Sequence, residues 1–282
     1  MKRAIYCLTL LLIFTSKLSM AFATTPFQIP RSIVVEIKDP NSQRVYPLFI
    51  KLPKSYAKND DKIYPVIYLT DARYTFQIVS GATRYPMNAQ KMKEAIIVGI
   101  SSAKGSKRDA SRVRDYTPSI NKSWQQTTGG AQQHMVFIED SVINYIDKSY
   151  RTDRQDRTFV GNSLGGLFGT YILLAKPTLF NHYILGSPSY WFDNRVIFKL
   201  EEAHRKRQLT INANIFIAIG ERESKALVSS HEMVKDAQDF YKKILNWPQT
   251  HVSAKIVIIP EANHQTAFPT TAIQGLHWIY KI

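Results

Sequence analysis

Thiols are almost missing from this chain. Cys7 is the only cysteine among 282 residues, and it sits in the first apolar segment. Beyond that segment there is no disulfide, no thiol nucleophile and no cysteine-ligated metal. Long hydrophobic runs are also missing. The apolar run Ala4–Phe14 is short for a bilayer span, and no other segment approaches the ~20 apolar residues a spanning helix needs. Internal repeats, low-complexity tracts and Pro/Gly-rich linkers are absent, which excludes solenoids and tethered modules. Acidic residues are scarce: 22 Asp and Glu stand against 37 Lys and Arg, a formal charge of +15. That balance favours anionic partners or surfaces. No nucleic-acid-binding motif accompanies it.

The N-terminus reads as an address. Lys2-Arg3 is followed by the apolar run and then by Ala21-Phe22-Ala23, an A-x-A cleavage pattern. The expectation is a cleaved secretory signal over residues 1–23 and a mature chain over 24–282. That segment carries three positive charges and no acid, leaving +12 on the mature chain. Export without disulfides suits a bacterial periplasm, or release beyond it. No stable membrane span is expected after cleavage.

Composition is globular, with 44% hydrophobic and 21% charged residues, and one α/β domain of this length is ordinary. Eight β-branched or apolar runs predict strands at 32–37, 45–51, 65–69, 95–100, 158–160, 183–185, 214–219 and 252–259. The later runs are apolar almost throughout, as in a parallel sheet covered on both faces. Helical patterns are expected at 134–150, from 167 to about Phe180, at 229–245 and at 270–280. The alternation predicts a doubly wound α/β sheet. The polar stretch 101–130 has little periodicity and reads as a long loop or lid at the sheet's C-terminal edge, where such folds bind ligands.

Gly161-Asn162-Ser163-Leu164-Gly165-Gly166 follows a strand-like run and precedes a helix-like one. A G-x-S-x-G turn in that setting lifts the serine clear of the sheet. The Leu164 N–H, at the helix N-terminus, points at the oxyanion that attack on a carbonyl would create. A serine nucleophile needs a base. Of the seven histidines, His264 follows the last strand, in the loop where this architecture places one. His134, His204, His231 and His277 lie in helical patterns and read as packing or surface residues. The acid belongs after the strand at 214–219, where Gly220-Glu221-Arg222-Glu223 offers two carboxylates. Glu223 is preferred, Glu221 is the alternative, and a Ser-His dyad with both glutamates solvated remains open. A second oxyanion donor belongs after the strand at 65–69, at the backbone N–H of Ala72 or a neighbour.

Further motifs fall in order along the chain: Tyr68-Leu69-Thr70-Asp71, Arg112-Val113-Arg114-Asp115-Tyr116-Thr117-Pro118, Ser187-Pro188-Ser189-Tyr190-Trp191, Gly220–Glu223 and Asn263-His264. With the serine turn they resemble the putative esterase family of α/β-hydrolases, in the branch of enterobactin- and bacillibactin-type siderophore esterases. The resemblance implies an α/β-hydrolase fold, with a mostly parallel sheet of about eight strands and helices on both faces. It implies a serine carboxylic ester hydrolase with a Ser163-His264-Glu223 triad, no metal and no organic cofactor. Its expected partner is a small-molecule ester, favoured as a siderophore-type ester or trilactone of anionic or catecholate character. A broad carboxylesterase for small acyl or aryl esters is the second reading. A non-catalytic binding protein on a hydrolase scaffold is the third, and the presence of both Ser163 and His264 weighs against it. Arg112 and Arg114, with Arg108 nearby, are expected to form a cationic rim. Tyr190 and Trp191 are expected to touch substrate. Trp124, in a polar stretch, is expected to lie outside the core.

Overall fold

Tyr64 to Leu69 is buried at every position, and so is Ile96 to Ile100. Strands apolar on both sides must be covered on both faces. The computed structural model describes residues 25–207, 210–224, 231–247 and 251–282, and there it satisfies that demand. The signal expected over 1–23, with Cys7, lies outside the described residues.

The elements run β1 (Ser32–Lys38), β2 (Val45–Lys51), β3 (Tyr64–Leu69), α1 (Ala72–Asn88), β4 (Ile96–Ile100) and α2 (Arg108–Tyr116). Next come α3 (Ala131–Phe137), a π-helical turn (Ile138–Ile143), α4 (Asn144–Ser149), β5 (Thr152–Asn162), α5 (Leu164–Ala175) and β6 (His182–Gly186). The chain continues through α6 (Phe192–Lys206), β7 (Asn212–Gly220), α7 (Met233–Leu245), β8 (His251–Ile259) and α8 (Ala267–Tyr280). One eight-stranded sheet has the order β1-β2-β4-β3-β5-β6-β7-β8. β1 and β2 pair antiparallel, as do β2 and β4; from β4 to β8 every pairing is parallel.

Side-chain alternation sends neighbours to opposite faces. Val66 and Tyr68 enter one core, with Tyr116, Phe137, Phe168, Phe192 and Phe240 from helices α2 to α7. Ile67 and Leu69 enter the other, with Phe76, Val79, Phe268 and Leu276 from α1 and α8. Fully burying side chains of this size contributes about 1.5–3 kcal/mol each before ordering costs.

All eight expected strands are present, most of them extended by a residue or more; the fifth grows from 158–160 to Thr152–Asn162. The helices depart further from expectation. The helix after the serine ends at Ala175, and Phe180 is a buried residue beyond it. The 134–150 pattern begins at Ala131 and contains the π turn. The 229–245 pattern is helical from Met233, and the last helix starts at Ala267. Segment 101–130 is not a bare loop, because Arg108 to Tyr116 forms α2. Helix α1 occupies a stretch where no helix was expected, while α6 contains His204, which was read as helical, and starts well before it. The first part of α6 is a left-handed turn, with φ of 47°, 52° and 61° at Asp193, Asn194 and Arg195.

Candidate active site

β5 runs into Ser163 and α5 starts at the next residue. At the turn between them Ser163 takes φ 59° and ψ −121°. A non-glycine residue there is strained, and such strain persists only where the surroundings impose it. The surroundings are visible. A Cβ on Gly161 would lie 2.2 Å from the Gly165 carbonyl oxygen, and a Cβ on Gly165 would lie 2.5 Å from Thr70 Oγ1. Only glycine at both positions lets strand, helix and the β3–α1 turn close on the serine.

Ser163 Oγ lies 2.9 Å from His264 Nε2, and His264 Nδ1 lies 2.6 Å from Glu223 Oε2. A carboxylate can only accept, so the Nδ1 proton is donated to Glu223, and Nε2 is left to accept the Ser163 hydroxyl proton. Glu223 is 2% exposed. Its other oxygen accepts from Ser187 Oγ at 2.6 Å and from the Gly220 N–H at 2.8 Å. Three donors thus compensate the burial of one carboxylate. Glu221 points elsewhere: its Oε2 accepts the Glu261 N–H at 2.9 Å. Of the two carboxylates, Glu223 is the one against the histidine.

Sequence reasoning named the Ser187-Pro188-Ser189 motif but gave neither serine a role. Ser187 holds φ 39° at the end of β6 and grips the acid. Ser189 Oγ lies 3.2 Å from Ser163 Oγ, and its N–H donates to the Ser163 carbonyl at 3.1 Å. The signal available was position alone: both flank Pro188 just past a strand's C-terminal end, where ligands bind in such sheets.

A crevice of about 390 Å³ opens over the serine, lined among others by Trp191, Arg222, His231, Met233 and Gln265. Trp191 lies where expected and stacks on His231 at 4.1 Å, nearly parallel. His231 therefore lines the crevice rather than a helix surface. Trp124 packs partly against the core and stacks on Trp191 at 6.3 Å, contrary to its expected place. Its loop is tied down by Ser119 and Asn121, which both donate to the carboxylate of Asp193 in the left-handed turn.

Three other expectations for the crevice need correcting. Tyr190 is fully buried, bonds Thr170 Oγ1 at 2.9 Å and packs on Phe240, so it serves the core. Arg112 does not line the crevice. Its guanidinium grips Asp71 through two bonds, at 3.0 and 3.2 Å, and lies over the Tyr116 ring. The Tyr116 hydroxyl accepts the Asp71 N–H at 3.3 Å. Arg114 faces a different hollow, bonded to Asp115 at 2.7 and 2.9 Å and to Tyr46. The R-x-R-D-Y segment is therefore a set of internal clamps. One of them holds Asp71, which precedes Ala72 at the start of α1 and occupies the left-handed region at φ 54°. Ala72 is fully buried there, and Leu164 nearly so, at the starts of α1 and α5.

A family model described as putative esterase matches residues 41–250. The chain belongs to the putative esterase family. It is an ester hydrolase. The match includes Ser163 and Glu223 and stops short of His264. Across 269 residues the chain is 29% identical to the ferri-bacillibactin esterase BesA of Bacillus subtilis, covering 89% of this chain and 90% of that one. Over 123 residues, 39% of each chain, it is 34% identical to the siderophore enterobactin esterase of Emericella nidulans. The crystal structure of the BES protein from Bacillus cereus superposes with a TM-score of 0.81 at 26% identity, covering 93% of this chain and 99% of that one. The fold is that of the α/β-hydrolases, as the motif order implied. Among the described residues no helix is long and apolar enough to cross a membrane.

Proposed function

We propose that this family member is a serine hydrolase working through a Ser163-His264-Glu223 triad and an acyl-enzyme. The observation that carries the reading is the unbroken relay from Glu223 through His264 to Ser163, at 2.6 and 2.9 Å, ending on a serine held in a strained turn. Ser163 Oγ attacks the ester carbonyl carbon while its proton passes to His264 Nε2. Glu223 stabilises the imidazolium and fixes its tautomer. The Leu164 and Ala72 N–H groups hold the oxyanion. Collapse expels the alcohol, which takes the proton from His264. Water, deprotonated by His264, then attacks the acyl-enzyme, releases the acid and restores Ser163.

The favoured substrate is a siderophore-type ester or trilactone. Support comes from the named activities of the relatives and from the Trp191–His231 stack, which offers an aromatic ring a flat face beside the serine. A general carboxylesterase is the second reading. It is favoured by the engagement of Arg112 and Arg114 in internal pairs, which leaves them no place on the crevice wall. The proposed place of action is the periplasm or beyond, after loss of residues 1–23.

The test is a hydrolysis panel on the chain from Thr24, pairing a ferric tri-catecholate trilactone with p-nitrophenyl esters of increasing length. A fluorophosphonate should label Ser163 stoichiometrically. Trilactone turnover far above that of every simple ester supports the siderophore reading, and the reverse order replaces it. Failure to label Ser163 removes the triad assignment. N-terminal sequencing from an osmotic-shock fraction should begin at Thr24.

A further inference from the structure

A second concavity lies between α1 and the β1–β2 edge of the sheet, and it shares no lining residue with the crevice. It sits toward the opposite end of the strands. Lys51, at the end of β2, pairs in register with Ile97 near the start of β4, whereas Ser163 follows the end of β5.

Phe49 packs toward the α1 face of the sheet, and alternation sends Lys51 the same way. Lys51 is 4% exposed, and among the described residues its ammonium has no hydrogen-bond or ion-pair partner. The ammonium is not among the fully enclosed polar atoms and so meets whatever fills the groove; a charge this poorly solvated and without a partner is costly. Burial, with Arg31 and Arg84 nearby, lowers its pKa to about 8. Across the groove Ser80 is 2% exposed, and its hydroxyl also lacks a partner. The next residue, Gly81, faces open space where a Cβ would stand. Phe49, Phe76 and Val34 supply apolar walls, and Phe27 at the rim is 89% exposed. Among the described residues no carboxylate lines the groove, and none of them neutralises Lys51.

We propose that this groove, about 480 Å³ in volume, binds an amphiphilic monocarboxylate, with its head on Lys51 and its apolar body along Phe49, Phe76 and Val34. The deep charge is a single ammonium, which matches a single carboxylate. Arg31 and Arg84 are exposed and add long-range attraction at the mouth. The open space beside Gly81 gives the chain of the ligand room to pass α1.

Calorimetry with decanoate below its micellar range, on the chain from Thr24 at pH 7, tests this. One saturable site is expected, with decanol at least tenfold weaker. Lys51→Met and Gly81→Leu should each weaken decanoate at least tenfold, the first by removing the charge and the second by filling the space. Either variant alone suffices if the other does not fold. Turnover of p-nitrophenyl acetate should be unchanged in both. Wild-type affinity should fall as pH rises through about 8, because Lys51 loses its proton and no other titratable group besides the two arginines lines the groove. No saturable decanoate binding overturns the proposal, as does equal binding by wild type and both variants. Loss of binding on labelling Ser163 would put the carboxylate in the crevice and overturn it too. Self-association abolished by Lys51→Met, without decanoate binding, would make the groove an interface between copies instead.

Discussion

Glu223 and Lys51 are buried to nearly the same degree, at 2% and 4% exposure, and the protein treats them in opposite ways. Glu223 receives three donors: the His264 ring, the Ser187 hydroxyl and the Gly220 N–H. Lys51 receives no acceptor, and its charged neighbours, Arg31 and Arg84, repel it. One region has assembled its electrostatics from its own chain. The other has left a charge on the wall of a cavity without a partner among the described residues. The difference teaches that burial of a charge does not by itself mark chemistry. What surrounds the charge separates a finished relay from a site that something outside must complete.

The strongest way to break that contrast is to cut the relay. Ser163→Ala and His264→Ala should each lower kcat by roughly 10³–10⁶-fold, and the double variant little further, because residues of a triad act as a unit. Steady-state rates on a p-nitrophenyl ester decide it; additive losses would mean the two residues work separately. Glu223→Gln comes next, at about 10³–10⁴-fold, since the amide cannot hold the same tautomer or stabilise the imidazolium. Glu221→Gln should stay within about threefold, because its carboxylate bonds only a neighbouring loop N–H. Comparable losses in both would erase the distinction drawn between the two glutamates.

A smaller effect is expected at Arg112. Arg112→Gln should lower kcat about tenfold on neutral and anionic esters alike, because it frees Asp71 beside the proposed oxyanion N–H of Ala72. A rise in KM confined to the anionic ester would instead return Arg112 to substrate capture. The smallest effect sharpens the Lys51 side. Its proton is bound less tightly in the folded chain than in the unfolded one, so between about pH 8 and 10.5 the unfolded state holds more protons and stability should rise with pH. The gain is roughly 3 kcal/mol for a shift of this size, and it is complete only above the unfolded value. Lys51→Met should be more stable at pH 7 and should lack the rise. Urea unfolding across pH checks both.

Strands were legible because their burial is written as continuous apolar runs such as Tyr64–Leu69, and turns such as Gly161–Gly166 carry their steric demand in residue type. Ser163, His264 and Glu223 were legible because each follows a strand at a fixed place in the chain order. Helix α1 was hidden by Gly81 and Pro86 inside it and by an entry through left-handed Asp71 rather than a capping side chain. The start of helix α6 was hidden by three left-handed residues at 193–195. The basic segment misled for a different reason. Charge is local in sequence, but its neutralisation is not: the partner of Arg112 lies 41 residues away on another element. Lys51 went unnoticed because nothing in a sequence reveals the lack of a partner.

The order of the relay along the chain has a consequence for biosynthesis. The proposed nucleophile comes first, at 163; the proposed acid follows at 223 and the proposed base at 264, beyond β8, which forms the sheet's outer edge and, among the described residues, pairs only with β7. A ribosome therefore makes the reactive serine about a hundred residues before the group that activates it. On the proposed mechanism Ser163 stays an ordinary alcohol until the segment after β8 brings His264 to it. The emerging chain thus passes through its maker without hydrolytic activity, and acquires it when the final strand closes the sheet.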